Sequence, residues 1–289
     1  MAADTYRSMR AAARQLGLGR VRDRIRSSVH ASPLWIAFPP RRLKDLDLDG
    51  MVPTNAIALT FDDGPDPVVT PHLLRLLEAH SAPATFFMCG LAAQRHPDLV
   101  RAVLAAGHAV GGHSWDHRHK IVRSLPEPEW RRQIDDTHAL LADLSGAPVR
   151  WFRPPRGITD RHSWTRLRRQ GVTTMLWSID GWDCRLRDPD EVAAGVLRKL
   201  GPGDVTLLHD ANANYLFSTT RPTYGALGNQ ESTVQATEII LRAARDRGLE
   251  AVSLDHVPGR LGAGSSRPAA GRASSRFQRK HGPRQTPGQ

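Results

Sequence analysis

A chain of 289 residues, 40% of them hydrophobic, is long enough to bury a substantial core in one large α/β domain or two small ones. Its two cysteines, Cys89 and Cys184, are too few and too far apart for a disulfide framework or a cysteine-based zinc site. The formal charge of +11 would indicate an anionic partner such as nucleic acid if it lay on one folded face. Seven basic residues and no acidic ones lie between Arg260 and Gln289, however, in a stretch rich in Gly, Ser and Pro that we expect to be solvated.

The predicted elements follow an N-terminal extension with a helical pattern from about Tyr6 to Val29. From Ala56 onward, short apolar runs typical of buried strands alternate with amphipathic runs of helical period. The predicted strands are Ala56–Phe61, Ala84–Met88, Ala109–Gly111, Val149–Arg153, Thr173–Asp180, Asp204–His209 and Glu250–Leu254. The predicted helices are Pro71–His80, Pro97–Ala106, Glu129–Leu144, Asp160–Gln170, Asp190–Leu200 and Ser232–Arg247. We therefore expect a partly helical extension at 1–50, a folded domain at 51–258 and a basic disordered tail at 259–289.

Strands separated by helices are expected to be parallel, because the crossover between parallel strands needs a dozen or more residues. A barrel and a doubly wound sheet both fit this series, and periodicity does not choose between them. In both, ligands bind at the carboxyl ends of the strands. Reactive residues end or follow five predicted strands on that side, namely Asp62 with Asp63, His113, Arg153, Asp180 and His209. This pattern predicts that they form one site.

The segment HSWDH contains two histidines four residues apart, His113 and His117. On a helical turn this spacing places both imidazoles on one side, where they can share an ion. The pair is weak evidence by itself, because surface turns are often rich in histidine. Asp63, at a neighbouring strand end, adds an oxygen. Two imidazoles and one carboxylate with open positions are typical of a catalytic zinc site.

Two adjacent carboxylates, Asp62 and Asp63, would repel each other if both were ionised in a poorly solvated pocket. One of them therefore needs a cation beside it, which suggests that the two carboxylates have different roles. Asp63 binds the ion, and Asp62 takes a proton from a metal-bound water whose pKa the ion lowers to about 7. The alternative is that FDDGP is only a strand followed by an Asp-Gly-Pro turn.

Five ordered segments resemble the motifs of the polysaccharide deacetylase family, also called the NodB-homology family or carbohydrate esterase family 4. They are TFDDG at 60–64, HSWDH at 113–117, RPPRG at 153–157, WSIDGWD at 177–183 and LLHD at 207–210. The resemblance spans about Ala56 to His256. It implies a distorted (β/α) barrel of about seven parallel strands and hydrolysis of an N-acetyl group on an aminosugar polymer, oligomer or glycoside. It also implies a divalent ion, zinc first, with cobalt, nickel and manganese as alternatives.

The resemblance also implies a role for each matching residue. Asp62 would be the base, His209 the acid that protonates the leaving amine, and Arg153 the group that orients the base by charge-assisted hydrogen bonding. The metal ligands would be Asp63, His113 and His117. Two carboxylates, Asp180 and Asp183, could partner the acid and keep it protonated near neutrality. We prefer Asp180, because it ends the strand that precedes the strand of His209.

Two positions depart from the family pattern. Arg156 stands where tyrosine is frequent, but the family is thought to use the backbone N–H there as an oxyanion donor. Cys184 stands where tryptophan is frequent, and losing that aromatic wall would alter the substrate groove. Trp182 could replace the wall. Tyr215, in the loop 211–228, is a further candidate for substrate contact, with an ordinary surface loop as the alternative.

Other functions remain open within the same sequence pattern. An O-acetyl esterase or another amide hydrolase could use this site, and a non-catalytic relative could bind metal or glycan. We expect an N-acetylated carbohydrate as partner, a monomer, no specific nucleic acid, and weak contact of the tail with anionic surfaces. No signal peptide or membrane span is predicted, so the cytoplasm is the default location. Envelope association and secretion by a non-standard route are the alternatives.

Overall fold

The computed structural model describes residues 39–46, 52–118, 120–186, 188–213 and 229–256. In chain order its strands are β1 (Ala56–Ile57), β2 (Thr60–Asp62), β3 (Thr85–Met88), β4 (Ala109–Gly112), β5 (Trp151–Phe152), β6 (Thr173–Thr174), β7 (Ile179–Asp180), β8 (Thr206–His209) and β9 (Glu250–Ala251). Its α-helices are α1 (Val69–Ala79), α2 (Gly90–Arg95), α3 (Pro97–Ala105), α4 (Glu127–Trp130), α5 (Asp136–Ser145), α6 (Arg161–Arg169), α7 (Pro189–Leu197) and α8 (Asn229–Asp246). A π-helical segment, Arg131–Asp135, joins α4 to α5.

Local signals set the ends of several helices. The Asp160 side chain accepts a hydrogen bond from the backbone N–H of Ser163 and thereby caps the start of α6. Pro189 occupies the first position of α7, where its missing N–H removes no helical hydrogen bond. The helix α5 ends at Ser145 and is capped by Gly146, whose φ of 69° suits glycine. These residues allow the helical boundaries to be predicted to within a few positions.

Seven strands form one sheet in the order β6-β5-β4-β3-β2-β8-β7, and each pairing between neighbours is parallel. Helices connect the successive strands of this sheet, as parallel pairing requires, except between β6 and β7, which do not pair with each other. The sheet curls into a half-barrel, which confirms the predicted α/β barrel of about seven parallel strands. The short strands β1 and β9 pair in parallel outside this sheet.

The predicted strand Thr173–Asp180 is wrong, because the chain forms two strands there. Its first part, β6, pairs with β5 at one edge of the sheet, and its second part, β7, pairs with β8 at the other edge. Between them the backbone N–H of Met175 donates to the carbonyl of Phe152, and that of Ser178 donates to the carbonyl of Val205. The segment therefore crosses the open side of the half-barrel. The residue pattern of one continuous segment does not reveal that its first half pairs with β5 and its second half with β8.

Side chains alternate between the two faces of the sheet. On β3, Phe86 and Met88 join the large apolar cluster beneath the helices, while Phe87 joins a second cluster with Trp151 on the inner face. Full burial of an aromatic or aliphatic side chain of this size contributes roughly 1.5–3 kcal/mol. The packing therefore opposes any shift in strand register that would exchange the two faces.

The same register brings reactive side chains onto the inner face. Asp62 is paired with Phe87 on β3 and with His209 on β8, and paired residues of parallel strands share a face. On β5, Trp151 is inward and Phe152 outward, so the following residue, Arg153, is inward again. Alternation and register thus direct the base, acid and arginine candidates to one side.

Residues 39–46 pack against the domain even though the predicted boundary lies at residue 51. Leu43 is fully buried in the second apolar cluster and donates its backbone N–H to the carbonyl of Gly203. Arg42 forms an ion pair of 3.2 Å with Asp204. The predicted helix in the extension and the basic tail lie outside the described residues, so those predictions stay untested. Among the described helices, none has the length and apolarity needed to cross a membrane.

Candidate active site

Three side chains, Asp63, His113 and His117, form a cluster that we call the metal triad. Their ligand atoms all lie within 4.8 Å of one another. Asp63 Oδ1 is 3.4 Å from His113 Nε2 and 3.7 Å from His117 Nε2. This oxygen is buried without a hydrogen-bond donor among the described residues, whereas Oδ2 accepts from the backbone N–H of Ala213 at 3.0 Å. An unsatisfied buried carboxylate oxygen is costly, and a cation between it and two imidazoles would remove that cost. The residues present therefore fit a divalent ion.

Hydrogen bonding and charge prepare the triad for a cation. His113 Nδ1 lies 2.8 Å from the carbonyl oxygen of Arg153, so donation from Nδ1 leaves the lone pair of Nε2 facing Asp63. Burial alone would raise the pKa of Asp63, but the adjacent imidazoles of His113 and His117 lower it below its usual range. Burial lowers the pKa of His117 to about 4, so this imidazole is neutral at pH 7. Burial alone would lower the pKa of His113, but the carboxylates of Asp62 and Asp63 raise it, so an ion would displace a proton from this imidazole on binding. Ionised carboxylate and neutral imidazole are the forms that bind metal.

The two histidines of the triad do not lie on a helical turn, so that part of the sequence interpretation is wrong. Residues 113–117 form a loop after β4, in which Ser114 and His117 have φ angles of 66° and 61°. Ser114 Oγ accepts a hydrogen bond of 3.0 Å from the backbone N–H of His117. The imidazole centroids of His113 and His117 are 5.0 Å apart. Left-handed backbone, and not helical periodicity, brings the second imidazole back to the first.

Arg153 holds one oxygen of Asp62 beside the triad. The arginine is fully buried and the aspartate is 2% exposed. Arg153 Nη1 donates to Asp62 Oδ1 at 2.7 Å, and the same nitrogen is 2.7 Å from Thr60 Oγ1. Asp62 Oδ2 lies 3.7 Å from His113 Nε2 and therefore faces the triad. Because a charge-assisted hydrogen bond holds Oδ1, Oδ2 is the oxygen positioned to accept a proton.

His209 ends β8, and its hydrogen-bond partner is Asp183, so the preference for Asp180 is wrong. Asp183 Oδ1 lies 2.8 Å from His209 Nδ1, and Asp183 Oδ2 accepts from the backbone N–H of His209 at 2.7 Å. Asp180 instead accepts from the backbone N–H of Trp182 at 2.9 Å. Burial alone would lower the pKa of His209, but the charge and hydrogen bond of Asp183 raise it well above its ordinary value. We call His209 and Asp183 the acid pair.

Comparison with known proteins places this site in a family. Residues 49–175 match the family model for polysaccharide deacetylase. The chain is 32% identical over 211 residues to a chitooligosaccharide deacetylase of Sinorhizobium fredii, covering 71% of this chain and 95% of that protein. It is 37% identical over 166 residues to a peptidoglycan-N-acetylglucosamine deacetylase of Bacillus cereus, covering 55% and 75%. A crystal structure of a peptidoglycan N-acetylglucosamine deacetylase bound to 4-naphthalen-1-yl-N-oxidanyl-benzamide superposes with a TM-score of 0.62, at 30% identity, covering 71% of this chain and 89% of that one.

The chain belongs to the polysaccharide deacetylase family. This confirms the family resemblance, the barrel and the expectation of a metal-dependent carbohydrate deacetylase. The identity of the metal and the roles of individual residues stay predictions.

Backbone strain in this deacetylase is concentrated in the loops around the site. Six described residues other than glycine have positive φ angles, and five of them are Asp63, Ser114, His117, Arg156 and Trp182. Each such conformation costs roughly 1–3 kcal/mol relative to an unstrained one. The tertiary contacts that fix the site therefore act against local backbone preference, as is common where side chains are preorganised for chemistry.

The predicted substrate contacts lie around the acid pair and the triad, with one exception. Arg156 is exposed, and its charge contributes to the lowered pKa of His117. Trp182 is 47% exposed and directly precedes Asp183. Tyr215 lies outside the described residues. Cys184 is exposed and directly follows Asp183, the partner of His209.

Sequence reasoning missed two residues that support the site. Asp210, within LLHD, accepts from the backbone N–H of Gly64 at 3.1 Å and from Thr70 Oγ1 at 2.6 Å, and burial raises its pKa to about 7. A Cβ atom at Gly64 would collide with this carboxylate, which explains the glycine after Asp63. Thr233 Oγ1 donates to Asp183 Oδ2 at 2.7 Å. Asp210 could have been found from its place in the LLHD motif. The contact of Thr233 with Asp183 could not, because it depends on how α8 packs against the sheet.

Proposed function

We propose that the protein hydrolyses the N-acetyl group of an aminosugar in a polysaccharide, oligosaccharide or glycoside, releasing acetate and leaving a free amine. One observation carries this proposal. A base held by Arg153, the metal triad and the acid pair converge at the carboxyl ends of neighbouring parallel strands. Together these groups supply what hydrolysis of an unactivated amide by water needs, because the base and the ion activate the attacking water and the acid protonates the leaving nitrogen.

We propose that Asp63, His113 and His117 hold zinc, with cobalt, nickel and manganese as alternatives. Support comes from the donor set, since two imidazoles and one carboxylate with open positions suit a catalytic zinc. A second support is the buried Oδ1 of Asp63, which faces both imidazole nitrogens and has no other described donor. When bound, the ion would polarise the acetyl carbonyl and increase the acidity of a water molecule.

The remaining chemistry falls to the residues of the chain. Asp62 Oδ2 faces the triad and would accept the proton of the attacking water, while Arg153 keeps the carboxylate in this orientation. His209 keeps Nδ1 on Asp183, so its Nε2 would protonate the departing nitrogen. Its raised pKa maintains the protonated form near neutrality. The backbone N–H of Arg156 is proposed to stabilise the oxyanion.

The substrate class is proposed from the relatives and from one exposed side chain. The relatives include a chitooligosaccharide deacetylase and a peptidoglycan-N-acetylglucosamine deacetylase. Trp182 is the large exposed aromatic of the described chain and adjoins the acid pair, where its ring could stack on a sugar. Both points favour an N-acetylglucosamine-containing chain over a small acylated metabolite.

Released acetate, measured over a panel of chitooligosaccharides, peptidoglycan and N-acetylated glycosides, tests the proposal. We expect acetate from at least one N-acetylated glycan, loss of activity on metal removal and recovery on adding zinc. Asp62→Asn should abolish release while still binding metal, whereas His113→Ala should lose metal. Full activity of rigorously metal-free enzyme would refute the mechanism. Acetate from O-acetylated glycans alone would favour the esterase, and metal binding without any acetate release would favour a non-catalytic relative.

A further inference from the structure

The loop between the two histidines of the metal triad is held by a side chain from a distant part of the sequence. Gln133 lies in the π-helical segment Arg131–Asp135 and is fully buried. Its Oε1 accepts from the backbone N–H groups of Trp115 at 2.9 Å and Asp116 at 3.3 Å. These are two of the three residues that separate His113 from His117. A single amide thus holds the middle of the loop that carries both imidazoles.

The opposite side of the same loop is held by the start of α2. The backbone N–H of Gly90 donates to the carbonyl of Ser114 at 3.0 Å, and that of Leu91 donates to the carbonyl of Trp115 at 2.8 Å. A Cβ atom at Gly90 would approach the Trp115 ring to 2.5 Å, so the loop and α2 are in close contact. The loop is therefore clamped between α2 and Gln133, with hydrogen bonds to its carbonyls on one side and to its N–H groups on the other.

The hydrogen-bonding capacity of Gln133 is completely used. Besides the two bonds to Oε1, its Nε2 donates to Asp116 Oδ1 at 3.0 Å and to Glu129 Oε1 at 2.7 Å. An amide has two donor hydrogens and an oxygen that accepts two bonds, and few other side chains could serve all four partners at this length. Asp116 is in turn paired with Arg118 at 2.7 Å, immediately after His117. The network therefore continues to the far end of the loop.

We infer that Gln133 is a positioning residue for the metal site, which fixes the loop so that His113 and His117 face Asp63. The inference rests on the proposed metal site. Ser114 and His117 hold positive φ angles of 66° and 61°, so the loop conformation is locally unfavourable and needs such external contacts. Without Gln133, two buried N–H groups would lose their acceptor and the loop could relax away from the strained geometry. Hydrogen bonds made directly to metal ligands change metal affinity by roughly 10–100-fold, and we expect an effect in this range for a side chain that holds the loop carrying two ligands.

Gln133→Met, which keeps the length and removes every hydrogen bond of the side chain, tests the inference. Gln133→Glu is the second variant, because it keeps the acceptor but places a charge beside two carboxylates. The control is Ile134→Val, which trims the neighbouring residue of the same segment within a cluster that contains Phe152. For each protein we would measure cobalt affinity by competition with a chelator, the visible spectrum of the cobalt form, and the melting temperature of the metal-free form.

We expect Gln133→Met to bind cobalt roughly 10–100-fold more weakly, with an altered spectrum that reports changed ligand geometry. Gln133→Glu should lie between it and the parent, and Ile134→Val should match the parent in affinity and spectrum. A folded Gln133→Met protein with unchanged affinity and spectrum, but a lowered melting temperature, would show a purely structural role and overturn the inference. Failure of the parent protein itself to bind cobalt would instead overturn the metal site on which the inference rests.

Discussion

Replacing Arg153 with methionine should remove a buried interaction that supports both the fold and the base. The guanidinium group is fully buried, 4.0 Å from the Phe87 ring, and bonded to Asp62. Its remaining nitrogens donate to two carbonyls, with Nε 3.0 Å from Met175 O and Nη2 3.1 Å from Leu176 O. These carbonyls belong to the segment that crosses the open side of the half-barrel between β6 and β7. The arginine therefore satisfies backbone groups where the sheet has no continuous strand.

The expected cost follows from those contacts. Breaking a buried ion pair by removing one partner costs about 3–5 kcal/mol, because the other charge is left uncompensated. Each buried carbonyl that loses its donor adds about 1–3 kcal/mol unless water enters. A total above about 5 kcal/mol approaches the whole stability of a typical domain, roughly 5–15 kcal/mol. Arg153→Lys, which keeps the charge but presents fewer donors, should lose less.

Urea unfolding of the metal-free proteins at pH 7 would measure these losses, with Asp62→Asn and the double variant completing a mutant cycle. We expect a coupling energy of about 1.5–3 kcal/mol between Arg153 and Asp62. Arg101→Met is the matched control, because Arg101 pairs with Asp98 on the exposed surface of α3 and should cost less than about 1 kcal/mol. If Arg153→Lys or Arg153→Met lost no more stability than this control, or the cycle showed no coupling, the reasoning would be refuted.

Three further predictions concern the acid pair and its surroundings. In Asp183→Asn the raised pKa of His209 should fall. Because the acid acts only when protonated, the alkaline limb of the pH profile of kcat/KM should then move to lower pH. An equal shift in the control Asp180→Asn would contradict the assignment of Asp183 as the partner. Thr70→Val should destabilise the protein by about 1–3 kcal/mol in thermal unfolding, because it removes the hydroxyl donor from the buried carboxylate of Asp210, and an unchanged melting temperature would argue against that contact. Trp182→Ala should raise KM for a chitooligosaccharide roughly 3–10-fold with little change in kcat, whereas an unchanged KM would exclude stacking on the sugar.

Much of the candidate site could be predicted because its residues follow strand ends. Asp62, His113, Arg153 and His209 each come at or directly after a short apolar run, and the carboxyl ends of parallel strands meet at one edge whatever the order of the strands. Strand alternation then decides which side chains face inward. Both properties depend on residues that are adjacent in the chain, so they were sufficient to predict a parallel α/β sheet and the convergence of these residues. The choice of a barrel and the family came instead from the resemblance of the five ordered motifs.

Features that depend on contacts between distant residues were decided only by the tertiary structure. The segment Thr173–Asp180 reads as one strand, but its halves pair at opposite edges of the sheet. Asp183, and not Asp180, forms the hydrogen bond with His209, because the loop after β7 returns to the end of β8. Gln133 shows no local sign of its contact with the loop between the histidines, since eighteen positions separate it from Trp115. Periodicity reports which face of an element is buried, but it carries no information on which distant backbone groups will need a partner.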